Sequence, residues 1–134
     1  MTDLSAVDAM VVAVREGLDR VLPSELAREV TAGALVIDTR PVEQRQRDGG
    51  LAGAIVIDRN VLEWRLDVTS SFRIPEVTSA DQRIIIVCNE GYGSSLAAGT
   101  LRRLGMVRAT DLVGGFQALL RASGELTGDG TRPR

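Results

Sequence analysis

The chain has 134 residues, 44% hydrophobic and 25% charged, a composition that excludes a disordered tract and suits one globular core. Its net charge is −2 and all 16 basic residues are arginines, dispersed from Arg15 to Arg134 without a basic run, so nucleic-acid binding has no electrostatic footprint. One cysteine and no histidine exclude an intramolecular disulfide, an imidazole base and a zinc site of ordinary composition, so no cofactor or metal is expected.

Residues 1–21 read as an N-terminal packing helix. Val7, Met10, Val11, Val14, Leu18 and Val21 recur at the i, i+3, i+4 spacing of an amphipathic stripe, with Asp3 or Ser5 as N-cap. The stripe is expected to pack on its own domain rather than on a second copy, and no sequence feature sets an oligomeric state. Acidic Asp3 opens the chain where a signal peptide carries basic residues. The longest apolar runs, 9–14 and 84–88, fall short of the roughly 20 residues of a membrane span. A cytoplasmic protein without membrane association is therefore expected.

Pro23 suits the first turn of a second helix reaching Val30, and Gly33 ends it. Residues 34–38, 54–57 and 84–87 are short, continuously apolar runs, as in parallel strands buried on both faces. Between them stand a polar helix over 41–48, a turn at Gly49 and Gly50, and an irregular stretch over 58–80. Helical spacing resumes over 94–104, a last short strand follows over 109–113, and Gly114 and Gly115 turn the chain into a closing helix over 116–122. Residues 123–134 are small and polar, and are expected to form a flexible tail. The alternation predicts an α/β fold with a mostly parallel central sheet flanked by helices in three layers.

The informative segment is the buried strand that delivers Cys88 into Asn89-Glu90-Gly91-Tyr92-Gly93-Ser94, a glycine-bearing loop opening a helix. Open α/β sheets bind ligands at the carboxyl edge of their strands. Successive loop amides and the following helix dipole favour negative charge there, so a thiolate is stabilised without a base. Taken alone, Cys88 also reads as one more small apolar residue ending an aliphatic run, and Gly91 and Gly93 suit a tight loop under either reading.

Four ordered motifs sharpen the choice: Val36-Ile37-Asp38-Thr39-Arg40, Gly50-Leu51-Ala52-Gly53-Ala54-Ile55, the run from Cys88 to Ser94, and Gly114-Gly115-Phe116. Over residues 22–122 the chain resembles a single-domain rhodanese, of the sulfurtransferase-type fold. The resemblance implies a Cys88 persulfide that takes sulfane sulfur from a small-molecule or protein donor and passes it to a thiol acceptor. It places the anion-holding amides on Glu90, Gly91, Tyr92, Gly93 and Ser94, with Asn89 in the same substrate-binding loop, and makes Asp38 and Arg40 loop-supporting hydrogen-bonding partners. The stretch from Asp58 to Asp67 resembles a variant of bacterial members that borders the active-site mouth, which puts Arg59, Trp64 and Arg65 on the pocket wall or just behind it.

Two departures bear on activity. Many rhodaneses carry a cation five positions after the cysteine, where this chain has Gly93, and acidic Glu90 occupies the loop. Thiosulfate is then poorly served, and a persulfide or protein donor fits better. The related phosphatases and arsenate reductases need an arginine six residues after the cysteine, where Ser94 stands. The alternative to an enzyme is a non-catalytic rhodanese-homology module for protein binding or redox sensing, favoured by Gly93 and weakened by the retained cysteine.

Overall fold

A computed structural model describes residues 3–127. Four strands, β1 (Leu35–Asp38), β2 (Ile55–Val56), β3 (Ile84–Val87) and β4 (Ala109–Asp111), form one sheet in the order β2-β1-β3-β4, every pair parallel. Six α-helices accompany them: α1 (Ala6–Arg15), α2 (Leu26–Thr31), α3 (Val42–Asp48), α4 (Leu62–Leu66), α5 (Gly93–Arg103) and α6 (Gly115–Thr127). Among the described residues no helix is long and apolar enough to cross a membrane.

The aliphatic runs become central strands because both faces of the sheet are covered. Alternate side chains of β3 point to opposite layers. Ile84 and Ile86 join Leu62, Leu66, Ala97, Ala98 and Leu101 on one side, while Ile85 and Val87 join Val21, Leu26, Leu112 and Phe116 on the other. The expected three-layer α/β architecture is the one observed.

Three elements differ from expectation. Helix α1 stops at Arg15, and Val21 leaves the helical path to bridge Leu112 beside β4, where its amide donates to the Asp111 carbonyl at 3.0 Å. Only Val11 of α1 is fully buried, and Val7 and Met10 face solvent, so the stripe is covered over part of its length. Helix α4 emerges inside the stretch read as irregular, because Leu62 and Leu66, one turn apart, both reach the core. The closing helix continues to Thr127, past the point where a tail was expected, and the rest of that tail lies outside the described residues.

Helix α1 lies against α5 rather than against the sheet. Contact is close because residue 99 is glycine: a Cβ there would stand 2.7 Å from Cγ1 of Val14. This docking brings the last residue of α1 to the first turn of α5.

Candidate active site

The neighbours β1 and β3 are not consecutive in the chain, so the strand order reverses between them and the segments leaving their carboxyl ends diverge. Cys88 follows β3 at that edge and is partly exposed. The Gly91 amide donates to Cys88 Sγ at 3.1 Å. Gly93 begins the eleven-residue helix α5, whose positive end therefore faces the loop.

The loop is held from three directions. Beneath it, Phe116 N–H donates to the Cys88 carbonyl at 2.9 Å and Gln117 N–H to the Asn89 carbonyl at 3.0 Å. The side-chain amide of Gln117 also joins Asn89 Oδ1, at 3.0 Å, to Asp48 Oδ2, at 2.8 Å. Gly91 has φ +87°, and a Cβ on it would stand 2.7 Å from the backbone nitrogen of Gly114, so only glycine lets the two turns meet.

Behind the loop lies a buried acid. Asp111 is fully buried and accepts from Ser94 Oγ and Ser95 Oγ, each at 2.7 Å, and from both forks of Arg20 at 2.8 and 3.1 Å. The two hydroxyls tie the first turn of α5 to β4.

Above it, the Gly91 carbonyl accepts from Arg15 Nη2 at 2.6 Å, Arg20 Nη2 at 3.0 Å and, more weakly, Ser95 Oγ at 3.4 Å. Arg15 also reaches Ser95 Oγ at 3.0 Å and lies 5.3 Å from the centre of the exposed Tyr92 ring.

The cleft beside the loop, about 580 Å³, is lined by Asn89, Glu90, Tyr92, Gly114 and Gln117 with Arg47, Asp48 and Arg121. The hydrogen bond from Arg47 brings the Asp48 carboxyl below its ordinary value of 3.8, outweighing burial and assisted by Gln117.

Among the residues singled out from the sequence, Asn89, Glu90, Gly91, Tyr92, Gly93 and Ser94 gather around Cys88. Ser94 turns its hydroxyl inward to Asp111, and Gly93 borders open space, with nothing within 4 Å of where a Cβ would be. Asp38 and Arg40 form a buried ion pair at 2.8 Å, and the Arg40 guanidinium lies 3.6 Å over the Phe116 ring. They support the helix start that holds the Cys88 carbonyl.

The segment from Asp58 to Asp67 is placed differently from the loop residues. Arg59 pairs with Glu63 at 2.9 Å and opens onto a pocket with Thr39, Pro41, Val56 and Asp58. Arg65 donates to the Phe72 carbonyl at 3.0 Å, and exposed Trp64 borders a groove with Asp67, Thr100 and Leu104. None of the three lines the cleft shared by Asn89, Glu90 and Tyr92.

Sequence reasoning missed Arg15, Arg20, Ser95 and Asp111. An arginine in an amphipathic helix carries no mark of its distant partner. The one available signal is an acid, Asp111, among the apolar residues of the last strand, a setting in which a carboxylate must find donors.

A comparison with curated proteins finds no match. Among solved structures, a Rhodopseudomonas palustris protein of unknown function, described as a possible tyrosine phosphatase, is 24% identical over 92% of this chain and 95% of its own, with TM-score 0.79. The human single-domain sulfurtransferase is 23% identical over 76% of this chain and 95% of its own, with TM-score 0.63. A rhodanese homologue from the extremely thermophilic bacterium Thermus thermophilus is 28% identical over 75% of this chain and 99% of its own, with TM-score 0.55. The rhodanese-like domain family matches residues 22–122, which hold the sheet, the Cys88 loop and the helix start beneath it, and the chain belongs to that family.

Proposed function

We propose that the chain is a bacterial, cytoplasmic sulfurtransferase that carries sulfane sulfur as a Cys88 persulfide. The observation that carries this reading is the Gly91 N–H directed at a partly exposed Sγ, 3.1 Å away, at the carboxyl edge of a parallel sheet. In the first half-reaction the Cys88 thiolate attacks the outer sulfur of the donor. A new S–S bond forms, and the old bond breaks with its electron pair leaving on the donor, as sulfite from thiosulfate or as a thiolate from a persulfide. In the second, an acceptor thiolate attacks the outer sulfur and Cys88 departs as thiolate. The amides from Glu90 to Ser94 stabilise the terminal sulfur's charge. Donor and acceptor are small molecules or proteins, and neither nucleic acid nor membrane takes part.

The lack of a cationic side chain at Gly93 favours a second reading, a rhodanese-homology module that binds a partner without transferring sulfur. Intact mass after exposure to thiosulfate, or to a small-molecule persulfide, separates the two. Transfer requires a sulfur adduct that cyanide removes and that a folded Cys88→Ser variant never forms. Ready alkylation of Cys88 without an adduct from either donor establishes the binding module instead. Hydrolysis of p-nitrophenyl phosphate is not expected, because Ser94 supplies no cation for the phosphoryl oxygens.

A further inference from the structure

We propose that Arg15 is a positioning residue that supplies the persulfide loop with the positive charge position 93 lacks, which turns the site toward anionic sulfur donors; the donor part rests on the sulfurtransferase reading. Arg15 lies on α1, outside the family-matched residues 22–122. Its place is fixed by packing, since Val11 is buried and Val14 meets Gly99 of α5 one residue before it.

Its charge differs in its partners from those of three nearby arginines. Arg20 is neutralised by Asp111, Arg40 by Asp38 and Arg47 by Asp48, each at 2.7–2.8 Å. Among the described residues Arg15 makes no ion pair, and its guanidinium meets the Gly91 carbonyl, Ser95 Oγ and the Tyr92 ring instead. A cation is thus bound to the carbonyl of the same residue whose amide donates to Sγ. Glu90 works against it from the exposed side of the loop. Of the two arginines that donate to the loop backbone, Arg15 is the one that makes no ion pair among the described residues, so it favours any reagent that brings negative charge to Cys88.

Alkylation of the full chain tests the charge without requiring sulfur transfer. Rate constants for Cys88 with anionic iodoacetate and neutral iodoacetamide are compared in the parent, Arg15→Gln and Arg15→Lys. A structural role alone slows both reagents equally. A charge role lowers the iodoacetate-to-iodoacetamide ratio about three- to tenfold in Arg15→Gln at low salt. Arg15→Lys keeps most of that ratio, and Arg15→Met, which removes the charge but keeps much of the aliphatic stem, must lower it likewise and covers the case in which the glutamine variant fails to fold. An unchanged ratio in Arg15→Gln, or an equal fall in Arg15→Lys, overturns the proposal. Where sulfur loads at all, thiosulfate loading should fall in Arg15→Gln more than loading from an uncharged alkyl persulfide, and equal falls count against the donor preference. A ratio that responds to Arg15 in a protein that never gains sulfur keeps the charge role and removes the sulfurtransferase reading.

Discussion

The backbone of Gly115 lies against the Cys88–Asn89 peptide so closely that a Cβ at position 115 would stand 2.5 Å from the Cys88 carbonyl oxygen. Gly115 also has φ +61°, a left-handed conformation that side chains other than glycine resist. Gly115→Ala is therefore expected to cost about 1–3 kcal/mol in stability, through strain and a contact with backbone that cannot swing aside. It should also slow Cys88 alkylation, because Phe116 and Gln117 no longer seat the two carbonyls beneath the loop. Chemical denaturation and iodoacetamide kinetics measure both effects. A fully stable variant with unchanged kinetics would show that the loop keeps its shape without this contact.

Asp111 joins α5, β4 and Arg20 through four short hydrogen bonds, and its carboxylate is fully buried. Asp111→Ala leaves two buried hydroxyls and a largely buried guanidinium without their acceptor, and is expected to cost about 3–5 kcal/mol. Asp111→Asn keeps one oxygen acceptor and should lose less. The order of the two variants in urea denaturation is the check. An alanine variant at least as stable as the asparagine one would mean that water replaces the carboxylate.

The strands and the cysteine loop were legible because their signals are local. Ile84, Ile85, Ile86 and Val87 read as a strand covered on both faces, and the four residues are fully buried in two different clusters. Gly114-Gly115-Phe116 announced a helix start, although its sequence does not say that the start lies under Cys88. The support for the loop was hidden because it joins residues distant in the chain. Arg15 and Arg20 reach Gly91 across 76 and 71 positions, and no periodicity encodes such a pairing. The spacing of α1 misled in another way. Leu18 and Val21 continue its apolar rhythm, but Val21 gains more by bridging Leu112 inside the core than by extending an exposed helix.

At the opposite end of the sheet, Asp19 accepts from Arg83 at 3.0 Å and Arg102 at 2.7 Å. Burial pushes the Asp19 carboxyl up, but the hydrogen bond and charge of Arg83, with Arg102 behind them, outweigh it and bring it below its ordinary value of 3.8. The folded state thus binds this proton less readily than the unfolded chain. The stability Asp19 contributes is fully present above 3.8 and is lost as pH falls through the lower folded value. The carboxylate is largely exposed, so the gain is on the order of 1 kcal/mol or less and is screened by salt. Asp19→Asn should therefore be slightly less stable than the parent at pH 7, with the gap closing as pH falls below 3.8. Thermal melts at two salt concentrations test this, and a gap that widens in acid contradicts it.

Arg40 tests how far a buried ion pair supports the loop at a distance. Its backbone N–H and Nε donate to Asp38 Oδ1, and Nη2 donates to Asp38 Oδ2 and the Gly49 carbonyl, while the guanidinium covers the Phe116 ring. Arg40→Lys keeps the charge but not the fork, so at least one of these acceptors loses its donor, at a cost of about 1–3 kcal/mol. Arg40→Met leaves the Asp38 charge buried without its counter-ion and should cost about 3–5 kcal/mol. Asp38→Asn in the methionine background removes that charge and should recover part of the loss, as a double-mutant cycle in urea would show. Cys88 alkylation should slow in Arg40→Met, since Phe116, whose amide holds the Cys88 carbonyl, loses the cation on its ring face. If stability falls while alkylation keeps its rate, the pair maintains the fold alone, and the Phe116 amide holds its place under Cys88 without it.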